Sequence, residues 1–134
     1  MEPIRIVVRL ADGRIIKGVT NDFSPDKASF HVCPVTENET SPSVKVFVND
    51  LKAVFFVRNF SGSPDYQEAK EFPAVGKPLG RKVEVTFLDG EVLVGTTMTI
   101  DSSRPGFFIL PVDPKSNNLR VFVISKAVLN LNYL

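Results

Sequence analysis

The sequence predicts an all-β chain built as a tandem pair of small, strongly bent, five-stranded β-barrels, joined by a linker that holds a short helix. Three observations predict it. Short runs alternate apolar and polar residues at period two. Glycine, proline and aspartate punctuate those runs at turn spacing. The second half of the chain also echoes the first. Sliding by 77 positions lays Asp12-Gly13 on Asp89-Gly90, Gly18 on Gly95, Phe30 on Phe107, and Pro34-Val35 on Pro111-Val112. Beyond the prolines the residues match best at an offset of 75, with Val46-Phe47-Val48 on Val121-Phe122-Val123, and then at 74, with Lys52-Ala53-Val54 on Lys126-Ala127-Val128. The expected organisation is a first barrel over 1–60, a linker over 61–80 and a second barrel over 81–134.

Each element has its own signal. In the first strand Ile4, Ile6, Val8 and Leu10 alternate with Arg5, Val7 and Arg9, which gives one core face and one wetter face. Val83, Val85 and Phe87 repeat the pattern. At the following hairpin, a two-residue turn would set Val8 opposite Lys17. A three-residue Ala11-Asp12-Gly13 loop sets Val8 opposite Ile16 instead and keeps the cation off the core face. Strand two, Ile15 to Val19 and Val92 to Thr96, carries Gly18 or Gly95 in its interior, a mark of bending or of close backbone approach. Strand three ends at Pro34 or Pro111, which has no N–H for a ladder. Strand four spans Val44–Val48 and Arg120–Val123. After a short turn, strand five spans Ala53–Arg58 and Val128–Tyr133. In the linker, Ser63 suits a helix cap, Pro64 a first helical position and Pro73 a stop.

Composition removes whole classes of function. One His, one Cys and no Trp leave little from which to assemble a metal centre or a nucleophilic dyad. No catalysis, no cofactor and no metal are expected. The net charge of +1 shows no basic excess for phosphate neutralisation. No apolar run reaches the roughly 18 to 20 residues that span a bilayer. The first ten residues read as a strand rather than a signal peptide, and one Cys makes no internal disulfide. The expected compartment is the cytoplasm.

The order of apolar strand, Asp-Gly turn, Gly-containing bent strand, third strand and a final pair joined by a very short turn resembles the Sm-like fold. Gly95-Thr96-Thr97-Met98-Thr99-Ile100-Asp101 is similar to the first Sm signature, in which an Asp ends strand two and opens an RNA-facing loop. Val123-Ile124-Ser125-Lys126-Ala127-Val128 is similar to the second in spacing, with Ile124-Ser125 where that signature has Arg-Gly. The whole chain also resembles an uncharacterised bacterial family of duplicated β-domains, on Asp12-Gly13-Arg14 through Gly18, Asn21 to Pro25, Leu51 to Arg58 and Arg81 to Glu91. That resemblance brings no activity with it.

The candidate sites divide by chemistry. Loops after strands two and four suggest nucleic-acid contacts: Arg104, Lys115, Arg120 and Lys126 for phosphates, and Phe23 for stacking on a base. Arg5-x-x-x-Arg9 invites comparison with the PilZ domains that bind cyclic di-GMP, where two arginines clamp phosphate and a guanine edge. Both fall on the wet face of a strand, where surface arginines are ordinary. His31 and Cys33 share a strand face, but their counterparts Phe108 and Leu110 are apolar, so packing accounts for them better than metal ligation. Asp12 with Asp89, and Asp22 with Asp101, suit turn and loop chemistry better than acid–base work.

Phe55-Phe56, Phe107-Phe108 and Val92-Leu93-Val94 place apolar groups on both faces of their strands, so some outer faces must be covered. The cover is the other unit or a second copy. The last strand carries no charge to guard a free edge and is expected to be paired. The reading these features favour is a non-catalytic binding or scaffold module that engages a protein partner or itself. RNA binding through the loops is the alternative, and cyclic dinucleotide binding at Arg5 and Arg9 comes after it.

Overall fold

A computed structural model of the chain describes residues 4–35, 42–60, 80–98, 100–112 and 116–134. Ten strands form: β1 Ile4–Leu10, β2 Ile15–Thr20, β3 Ser29–Pro34, β4 Val44–Phe47, β5 Leu51–Val57, β6 Arg81–Phe87, β7 Val92–Thr97, β8 Gly106–Pro111, β9 Asn118–Ile124 and β10 Val128–Tyr133. A 3-10 turn, Val48–Asp50 or Ser125–Ala127, separates the last two strands of each half. Among the described residues no helix is long and apolar enough to cross a membrane.

The strands do not close into two separate barrels. They form one antiparallel sheet in the order β10-β6-β7-β8-β9-β5-β1-β2-β3-β4, in which β5 pairs directly with β9. The sequence explains the departure. All seven residues of β5 are buried, as are Val121–Ile124 of β9. A strand apolar on both faces is unsuited to an outer wall. Here each becomes the other's neighbour, and the sheet serves two cores. Val54 and Phe56 lie in a core with Ile6, Val8, Phe30 and Val32, and this core also takes Phe122 and Ile124 from β9. Ala53, Phe55 and Val57, the opposite face of β5, lie in a second core with Val83, Val85, Phe87 and Ile109. The expected linker helix lies in 61–79, outside the described residues.

The first hairpin has the three-residue form. Val8 pairs with Ile16, Gly13 N–H donates to the Leu10 carbonyl at 3.0 Å and Leu10 N–H to the Arg14 carbonyl at 2.9 Å. The second hairpin copies it through Phe87, Gly90 and Glu91. The correspondence between halves holds at 77 for every strand pair. Ile6 opposite Phe56 answers to Val83 opposite Tyr133, and Phe30 opposite Val46 answers to Phe107 opposite Val123. The offsets of 75 and 74 suggested by the residue matches are therefore corrected. β5 corresponds to β10 residue for residue at 77, so Lys52 corresponds to Leu129 and not to Lys126. The final strand is paired along β6 on one side, as expected, and on the other side is an end of the sheet among the described residues.

Candidate functional site

Between β7, β8 and β9 lies a cavity of about 390 Å³. Its wall includes Thr96 and Thr97 of β7, Phe108 and Leu110 of β8, and Arg120 and Phe122 of β9. Asp101 and Arg104 reach it from the β7–β8 loop, and Pro25 from the β2–β3 loop. The register explains the key side chain. Arg120 stands opposite Phe56 on β5, and its guanidinium carbon lies 4.3 Å from the centre of that ring and 4.6 Å from the centre of Phe108. Arg120 stays exposed overall, yet packing on the rings desolvates the guanidinium enough to draw its pKa down. No carboxylate of a described residue reaches ion-pairing distance of it.

Three of the five residues expected to contact nucleic acid meet at this place, in different conditions. Arg104 is engaged: its Nε lies 2.9 Å from Asp26 Oδ1 and 3.9 Å from Asp101 Oδ2, which ties two loops together. Asp101 in turn accepts the Ser103 hydroxyl and backbone N–H at 2.7 and 2.9 Å, and these bonds hold its carboxyl below the ordinary range. Phe23 packs edge-on against Phe30, Phe56, Phe108 and Phe122, with centroid separations of 5.1 to 6.2 Å. Its ring is thus occupied by four neighbours rather than held out from the surface. Lys126 lies elsewhere, on the 3-10 turn before β10, beside a smaller cavity lined by Ala11, Lys52 and Asp89. Lys115 lies outside the described residues.

The two arginines of β1 have separate partners. Arg5 donates to the Arg58 carbonyl at 3.4 Å. Arg9 pairs with Glu91 at 3.1 Å and lies over Phe55. A cavity corresponding to that of Arg120 occurs 77 residues earlier, with Thr20 for Thr97, His31 for Phe108, Cys33 for Leu110 and Ser43 for Arg120. There His31 Nδ1 lies 2.7 Å from Asp22 Oδ2, and the His31 N–H donates to Oδ1 at 2.9 Å. Burial raises the Asp22 pKa, but the bonds from His31 outweigh it and leave the carboxyl below its ordinary value. Asp12 and Asp89 sit at equivalent hairpins, each accepting the N–H of the residue two places on, Arg14 or Glu91, at 3.0 Å.

A residue the sequence reading passed over is Lys52. Only 6% exposed, its ammonium contacts Asp89 at 2.6 Å and Glu91, and lies over the Phe87 ring. The signal was one cation inside an apolar strand, which needs partners when buried. With Arg9 on Glu91, the cluster joins β1 and β5 of the first half to the β6–β7 hairpin of the second. The Lys52 hydrogen bond is the main cause holding the Asp89 carboxyl below its ordinary value, with the Glu91 N–H next. A depressed folded pKa gives stability that is present above the unfolded pKa, about 3.9, and is lost as pH falls through the folded value. Lys52→Met is expected to raise the Asp89 pKa in a carboxyl NMR titration and to reduce that acid-side loss, leaving the part due to the Glu91 N–H. An unmoved titration would rule the pairing out.

Among these acids, Asp12, Asp89 and Asp101 accept turn hydrogen bonds, and Asp26, Asp89 and Glu91 hold ion pairs. A family model matches residues 2–134. The chain belongs to DUF6982, a family of unknown function. No curated protein and no solved structure matches the chain.

Proposed function

We propose that the chain is a non-catalytic binding module whose working surface is the β7–β9 cavity, and that it takes an acidic side chain of a protein partner. The observation that carries this reading is Arg120, a guanidinium oriented by two phenyl rings and lacking a carboxylate of its own among the described residues. A stacked, partly desolvated guanidinium presents a planar fork that matches a carboxylate bidentately. The half-buried Phe108 and the exposed Leu110 of the cavity wall give the partner something apolar to bury beside the charge. We also read the residues over 1–60 and 81–134 as copies of one unit, on the constant offset of 77 in strand pairing.

The test uses the wild type and Arg120→Gln as matched baits in a native lysate. The variant loses two stacking contacts of about 1 kcal/mol each and is expected to stay folded, which its amide NMR spectrum checks. A protein retained by the wild type and lost from the variant supports the reading. Equal retention sinks it, and retention of salt-sensitive RNA in place of protein assigns the cavity to nucleic acid instead.

A further inference from the structure

The single sheet has two ends, β10 and β4. Its inner joint is β5 against β9, the fifth strand of the first half against the fourth strand of the second. Moving forward by 77 carries β5 onto β10, and moving back by 77 carries β9 onto β4. The end strands, which pair on one side only among the described residues, are thus the counterparts of the strands that already meet in the middle. We propose that the chain self-associates head to tail, with β4 of one copy adding antiparallel to β10 of the next. The pairs are Asn130 with Val46, Leu131 with Lys45 and Asn132 with Val44, the β5–β9 register carried over by 77.

The hydrogen-bonding groups face the right way. Leu134 N–H donates inward to the Lys82 carbonyl, so in this alternating strand Asn132 and Asn130 also face β6, and Leu131 turns its N–H and C=O outward. At the other end Val48 N–H donates to the Ala28 carbonyl, so Val46 and Val44 face β3 and Lys45 turns outward. Leu131 and Lys45 are thus the free groups that the proposed register sets opposite each other. Both edges also expose apolar side chains, Val44 at 42%, Phe47 at 52%, Leu129 at 65% and Tyr133 at 48%. From Val128 to Leu134 no charged side chain guards the edge.

The joint between copies is weaker than the joint inside the chain. Where β5 has Ala53 and Phe55, β10 has Asn130 and Asn132, and where β9 has Phe122, β4 has Lys45. Main-chain bonds therefore carry more of the contact than apolar burial does, and association depends on concentration. A head-to-tail contact leaves an open edge on each added copy, so the product is a ring if the rotation closes and a filament if it does not.

Cysteine pairing tests the register. Val44 and Asn132 both turn their backbone groups away from the joint, so they form a non-hydrogen-bonded pair with Cα atoms about 4.5 Å apart, within disulfide reach. In a Cys33→Ser chain carrying Val44→Cys and Asn132→Cys, oxidation is expected to give a ladder of dimers, trimers and larger species that reductant collapses. Both sites are exposed, so folding is not at stake. Lys45→Cys with Asn132→Cys points the thiols to opposite faces and is expected to stay monomeric. An equal ladder from that pair, or a dimer from Asn132→Cys alone, overturns the register. Sedimentation of the unmodified chain is expected to show mass rising with concentration, and a constant monomer mass overturns the association itself.

Discussion

Gly95→Ala is expected to destabilise the protein by about 3 kcal/mol, near the upper end for forcing atoms into a packed interior. β7 crosses β8 so closely here that an added Cβ would meet the Leu110 carbonyl oxygen at 2.2 Å and the Ile109 Cγ2 at 2.6 Å. The first obstacle is backbone, so no side-chain rotation relieves it. Gly18 faces the same obstacle in the first half, with the Cys33 carbonyl oxygen at 2.3 Å. Thermal unfolding should fall on the order of 10 °C for a chain of this size. Gly13→Ala is the matched comparison. Its site is open, with φ at +96° and nothing within 4 Å, so it carries only the conformational penalty of about 1 kcal/mol. Equal melting of the two variants would show that close approach is not what selects glycine in strand two.

Phe122→Ala is expected to cost about 3–5 kcal/mol, as for other buried phenylalanines. The ring is 1% exposed and belongs to β9, yet it fills the core of the first half, 5.3 Å from Phe23 and 5.0 Å from Phe108. A defect there falls on both cores, because β5 and β9 are shared. The variant and the wild type should each unfold in one transition, with calorimetric and van't Hoff enthalpies equal. For the same reason a 1–60 fragment lacks Phe122 and Ile124 and is expected not to fold alone. Two resolved transitions, or a dispersed amide spectrum from the fragment, would count against shared cores.

How much of this was legible follows from where burial is one-sided. β1 and β6 bury alternate residues, so their period of two was plain in the sequence, and the placing of Lys17 off the core face decided the hairpin loop correctly. The fifth strands are different. β5 is buried on every residue and β10 runs along an edge, so Ala53 and Phe55 face a core where Asn130 and Asn132 do not. Positions of the same register thus stand in unlike surroundings and carry unlike residues, and the best residue match slid three places to Lys126-Ala127-Val128. Phe55-Phe56 showed that both faces of its strand were covered, but a strand does not encode which element covers it. That is why two barrels were expected where one sheet forms. In the candidate site, Arg104, Arg120 and Phe23 converge because their loops and strands adjoin β8. Lys126 matched on charge alone and lies at a different cavity.

The sharing of β5 between two cores also has a meaning in time. During synthesis the strand emerges with Phe55 and Val57 already apolar, while Val121, which stands opposite Phe55 in the finished sheet, has yet to be made. At roughly 5–20 residues per second the wait is roughly 3 to 13 seconds. For that interval one core lacks Phe122 and Ile124 and the other lacks every residue of the second half, so neither face of β5 is finished, and a chaperone that shields growing chains has its natural target at residues 51–57.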